Sequence, residues 1–202
     1  MFCYNVLMST LKSNITAKRM AILGAKSELV FHLSDLATLW DIRNPNTLRV
    51  LLNRYAKSGV LHRLRRGLYS LPEPSTLDPI LLGAKALHRY CYLSTETVLY
   101  KEGYLSQHNQ VYTFVSEVSQ HFQLLSQSYL SRQLKPAFLF NSAGVGLVNG
   151  VKVASVERAI ADLLYFNPLF HLDRTPDWEK VRQVQQQIGY PLTPQRYGSS
   201  SP

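Results

Sequence analysis

Apolar positions fall into two regimes along the chain. Up to about residue 71 they recur at i, i+3 and i+4, then close in a short alternating stretch. Beyond about residue 80, short alternating runs mix with helical ones. Between the two regimes lies "PEPSTLDP", residues 72–79, whose three prolines resist helix and strand pairing alike. The pattern therefore predicts a first domain over 1–71, a linker over 72–79, a second domain over 80–190, and a tail over 191–202 with the composition of a disordered end.

Three helices are predicted in the first regime. One runs from about Ile15 to Ser27, with Ile15, Ile22 and Leu23 on one side and Lys18, Arg19 and Lys26 elsewhere. The next opens at "LSDLATLWDI", with Ser34 as its cap and Leu36, Leu39 and Trp40 on its apolar face. The third is "NPNTLRVLLNRYAKSG". Asn44 can cap it, Pro45 suits its first turn, and Gly59 suits the left-handed residue that ends it. At 100° per residue, Leu48, Leu51, Leu52 and Tyr55 share one side. Asn46, Arg49, Asn53 and Lys57 share the other, with Val50 among them, Arg54 at an edge and Thr47 in the first turn. That outer stripe contains no Asp or Glu, although a solvated surface helix would also be polar on its outer side.

The alternating stretch is "VLHRLRRGLYSL". Leu61 to Leu64 reads as a strand, Arg65-Arg66-Gly67 as a tight turn, and Leu68 to Leu71 as the return strand. Three helices followed by a basic hairpin is the order of a winged helix-turn-helix, in which the third helix enters the major groove. On that reading Asn46, Thr47, Arg49, Asn53, Arg54 and Lys57, with His62, Arg63, Arg65 and Arg66 of the hairpin, are the DNA-binding residues. A hairpin that merely closes a small core is the plainer alternative.

In the second regime, Asp78-Pro79 starts a helix, and Ser94 caps another that ends at Gly103. "QVYTFVSE", "FQLLSQSYL" and "AFLFN" are read as strands, and Asn149-Gly150 as a hairpin turn within "VGLVNGVKVAS". Ser155 caps "VERAIADLLYF", and Asp177 starts a last helix. The fold class expected is α+β, a winged helix-turn-helix followed by an α+β domain on a smaller, mostly antiparallel sheet.

Composition shifts this picture in one direction. The 202 residues carry a formal net charge of +9, which favours a polyanionic partner. The two cysteines, Cys3 and Cys91, suggest neither a metal site nor a disulfide framework, and fit a reducing cytoplasm. No signal peptide or membrane-spanning run is read. No Gly-rich phosphate loop, Gly-Xaa-Ser-Xaa-Gly or His-Glu-Xaa-Xaa-His is present, so neither an enzyme nor a cofactor is expected. His88 with His121 or His171 is a weak metal-ligand candidate, set aside for isolated surface histidines.

"LSDLATLWDIRNPNTLRVLLNRYAKSGVLHRLRRGLYSLPE" resembles the N-terminal domain of the AbiEi-type antitoxins of abortive-infection (type IV) toxin–antitoxin systems. Its basic Gly-Xaa-Tyr hairpin before a proline is matched by Arg66-Gly67-Leu68-Tyr69 and Pro72. "YLSTETVLYKEGYLSQ", "VYTFVS" and "KVASVERAIADLLYF" resemble later segments, with Glu157, Arg158, Ala159 and Asp162 in place and Val156 where proline is usual. The resemblance covers about residues 30–190. It implies a phage-defence antitoxin that represses its own operon at promoter repeats in double-stranded DNA. It also implies opposition to a nucleotidyltransferase-like toxin, without need of a stable complex. Glu157, Arg158 and Asp162 become the candidates of the antitoxin domain, in a structural or partner-facing role. A winged-helix protein-interaction module without DNA binding is the alternative.

Overall fold

The computed structural model describes residues 14–106 and 110–192. Cys3 and residues 193–202 of the expected tail lie outside them. The chain divides between Leu77 and Asp78 into two compact units, a division inside the stretch read as a linker. That stretch holds a 3-10 turn, Pro74–Thr76, and the buried Leu77.

In the first unit, helix α1 covers 14–24 and is followed by β1 (Val30–His32), α2 (Leu33–Leu39), α3 (Pro45–Lys57), β2 (His62–Arg65) and β3 (Leu68–Ser70). The three strands form one antiparallel sheet in the order β1-β3-β2. The sequence reading misses β1. Only three residues long, it becomes a strand by pairing Val30 with Ser70 and Phe31 with Tyr69. A second correction concerns α2, which starts one residue before Ser34. Its first turn is closed instead by Asp35, which accepts from the His32 N–H at 2.8 Å.

The core of this unit gathers Leu23, Phe31, Leu36, Leu48, Leu52, Leu61 and Tyr69, with each leucine side chain contributing about 1.5–3 kcal/mol by leaving water. Tyr55 joins the helices. Its ring meets Trp40 edge-on at 5.9 Å, and its hydroxyl donates to Thr16 and accepts from Arg19, both at 3.3 Å.

The second unit contains α4 (Pro79–Leu87), β4 (Cys91–Leu93), α5 (Glu96–Lys101), β5 (Val111–Ser116), β6 (Gln120–Leu124), β7 (Gln127–Gln133), α6 (Pro136–Leu139), β8 (Val145–Val148), β9 (Val151–Ala154), α7 (Val156–Phe166) and α8 (Trp178–Ile188). Its sheet has six strands in the order β6-β7-β5-β4-β9-β8. At six strands it is larger than the small sheet expected, although three of its five strand pairings are antiparallel as expected. β7 runs parallel to β5 and β4 parallel to β9, so the sheet is mixed. "FQLLSQSYL" is not one strand but parts of β6 and β7, joined at Leu125-Ser126 with Leu125 at φ 55°. "AFLFN" is not a strand either. Pro136 at the first helical position opens the short α6 there.

Asn149 and Gly150, at φ 48° and 79°, make the expected tight turn between β8 and β9. Gly83 on α4 is held close by the sheet. A Cβ there would lie 2.5 Å from the Tyr129 ring and 2.7 Å from Phe114. Gly83→Ala is therefore expected to cost about 1–3 kcal/mol of overpacking in urea denaturation. Gly24→Ala, with nothing within 4 Å, is the control that should not destabilise.

Candidate nucleic-acid interface

Helix α3 is fixed at both ends by its own sequence. Asn44 accepts from the N–H groups of Asn46 at 2.9 Å and Thr47 at 3.3 Å, and Gly59 follows the helix at φ 70°. Leu48, Leu52 and Tyr55 are buried, which settles the rotation of the helix. Asn46, Thr47, Arg49, Val50, Asn53, Arg54 and Lys57 are consequently exposed. One turn apart, Arg49 donates to the Asn46 side-chain oxygen at 3.3 Å. No acidic residue lies anywhere on α3.

The hairpin follows directly, and the N–H groups of Val60 and Leu61 both reach the Tyr55 carbonyl. Leu61, Leu64, Leu68 and Tyr69 are buried, holding the hairpin to the body of the unit. β2 extends one residue further than the spacing predicts and takes in Arg65. A bulge between Arg63 and Arg65 confines the turn to Arg66-Gly67, with Gly67 at φ 80°. Arg63 and Arg66 are exposed and Arg65 is half-buried. His62 differs from the other candidates, because its Nδ1 lies 3.2 Å from the Glu73 carboxylate and so already faces an anion.

Charge is unevenly shared between the units. Residues 1–77 hold eleven Lys and Arg against four Asp and Glu, whereas residues 78–202 hold eleven against nine. The basic excess belongs mainly to the unit that presents α3 and the hairpin.

The candidates of the second unit separate. Arg158 and Asp162 are wholly buried in the middle of α7. Arg158 Nε donates to Asp162 at 3.0 Å. Its two terminal nitrogens donate to the Tyr92 hydroxyl at 2.7 Å and to the carbonyls of Phe138, Asn141 and Ala143 at 2.9–3.1 Å. Every donor of the guanidinium is thereby used. Asp162 also accepts from Ser94 and Tyr190, both at 2.7 Å. Burial pushes the Asp162 carboxyl above the usual carboxylate range, while Arg158 and the hydroxyls pull back against it. Burial, then the Asp162 charge, raises the phenols of Tyr92 and Tyr190, which stay neutral donors. This cluster organises the unit and touches no open surface.

Two expectations change around it. Ser94 is not the cap of α5. It is buried and bonded to Asp162, and the cap position falls to Thr95 at φ 52°, ψ −132°. That conformation costs a β-branched residue on the order of 1–3 kcal/mol. Glu157, by contrast, is half-buried and accepts from the Ser155 hydroxyl at 2.9 Å. The buried cluster was missed as a unit, although the i, i+4 spacing of Arg158 and Asp162 was the signal available.

No group of His, Cys, Asp and Glu able to hold a metal exists among the described residues, and none of their helices is long and apolar enough to cross a membrane. Burial pushes the Cys91 thiol up to about 12, so its thiolate fraction at pH 8 is about one part in ten thousand. In a Cys3→Ser background, Ellman's reagent is expected to find Cys91 unreactive in the native protein and reactive after denaturation.

No protein-family model and no curated protein matches the chain. Among solved structures, the crystal structure of RV2827C protein from Mycobacterium tuberculosis is similar. It has 14% identity and a TM-score of 0.48, over 87% of this chain and 72% of that one.

Proposed function

We propose that the first unit is a winged helix-turn-helix that binds double-stranded DNA, with α3 in the major groove and the β2–β3 hairpin as the wing. The observation that carries this reading is the exposed stripe of Asn46, Arg49, Asn53 and Lys57, free of acid, followed by the exposed Arg63 and Arg66. Asn and Arg side chains are the types that contact adenine and guanine edges bidentately, while Lys and Arg meet phosphate. Val50, exposed within the stripe, has the chemistry to meet a thymine methyl.

On the resemblance to the AbiEi-type antitoxins, the chain represses its own operon at promoter repeats. Its second unit opposes a nucleotidyltransferase-like toxin in the cytoplasm. It is not an enzyme. The second reading, a winged helix used for protein docking, draws on the same Val50, an apolar group 53% exposed on the outer face.

The test is a gel shift with the DNA upstream of the chain's own gene, over increasing salt. Affinity should fall steeply, because each neutralised phosphate releases counterions. Arg49→Ala and Asn53→Ala are each expected to lose about 1–3 kcal/mol of preference for that DNA over a scrambled duplex. Equal binding to both duplexes by the unsubstituted protein would exclude sequence recognition.

A further inference from the structure

The second unit carries an open groove of about 590 Å³ between α5 and the β8–β9 hairpin. Its floor is apolar, with Leu93, Val98 and Ala154 all buried. Its rim is acidic, with Asp78, Glu102 and Glu157 against the single cation Lys101. Asp78 spends one oxygen on the Ile80 N–H and Glu157 spends one on Ser155. Glu102 has no ion-pair partner among the described residues. A local excess of carboxylates stands out on a chain whose net charge is +9. One wall ends at Val148, an apolar side chain 54% exposed on β8, which is an edge strand of the sheet and carries no charge.

We propose that this groove docks a basic, apolar segment of a partner protein, its apolar side chains on the floor and its cations against Glu102, Glu157 and Asp78. Charge complementarity selects the occupant. An acidic segment would meet three carboxylates, and a purely polar one would leave the apolar floor wet. The exposure of Val148, Lys101 and Glu102 makes the site a groove open along its length, which suits an extended segment better than an enclosed small molecule. The site lies wholly in the second unit and is independent of whether the first unit binds DNA.

The test titrates the full chain with a short fluorescent peptide of alternating Lys and Leu, against Lys–Ser and Glu–Leu twins of equal length. Binding is followed by anisotropy and by amide shifts. The Lys–Leu peptide should bind and shift residues of the groove, although the net charge of the protein repels it. Glu102→Gln with Glu157→Gln should weaken binding roughly three- to tenfold, while Phe140→Ser, exposed but outside the groove lining, should not. The double variant should keep the wild-type circular dichroism and gel shift. No binding of the Lys–Leu peptide, equal binding of the Glu–Leu twin, or an unchanged affinity in the double variant overturns the proposal.

Discussion

Replacing Arg158 with methionine is expected to lower the unfolding free energy by about 3–5 kcal/mol, measured by urea denaturation. The substitution keeps most of the volume but removes every donor of the guanidinium. Asp162 is left with the hydroxyls of Ser94, Tyr190 and Tyr92 and no counter-charge, and the carbonyls of Phe138, Asn141 and Ala143 lose their partner. Arg158→Lys should recover little, because three donors on a flexible stem cannot reproduce a planar fork with five. Adding Asp162→Leu to Arg158→Met should restore part of the loss, since no buried charge then stands alone. A change below about 1 kcal/mol in Arg158→Met would mean that water satisfies the cluster as well as the protein does.

The second large effect concerns the hairpin. Arg63, Arg65 and Arg66 exchanged together for alanine should weaken operator binding about a hundredfold, from roughly 1 kcal/mol for each lost phosphate contact. The salt slope should shrink by about three. Arg63 and Arg66 are exposed, so their double replacement leaves the fold alone and should give about two thirds of the effect in energy. Arg65 is half-buried, so the triple variant needs a check by circular dichroism. Wild-type affinity in the double variant would remove the hairpin from the interface and favour a docking role for this unit.

How far the sequence was legible depended on where each signal came from. The ends of α3 could be read because Asn44, Pro45 and Gly59 act within their own turns. The starts of α4, α7 and α8, set by Asp78, Ser155 and Asp177, could be read for the same reason. β1 could not, because three residues form a strand only when residue 70 comes back to meet residue 30. The turn between β6 and β7 gave no warning, since a leucine takes the positive φ that Gly or Asn usually announces. Ser94 looked like a cap until Asp162, far along the chain, claimed its hydroxyl. The exposed stripe of α3 was visible as periodicity. The burial of Arg158 was not, because charge in a sequence does not reveal that three carbonyls will surround it.

The place of Tyr190 in that cluster also orders the protein in time. The core cluster of the first unit is complete by Leu71, whereas Asp162 waits for a hydroxyl from residue 190. At about 5–20 residues per second of synthesis, that separates the two by on the order of ten seconds. A nascent chain therefore holds every residue of the α3 stripe and hairpin while its second unit still lacks the last donor of its central charge pair.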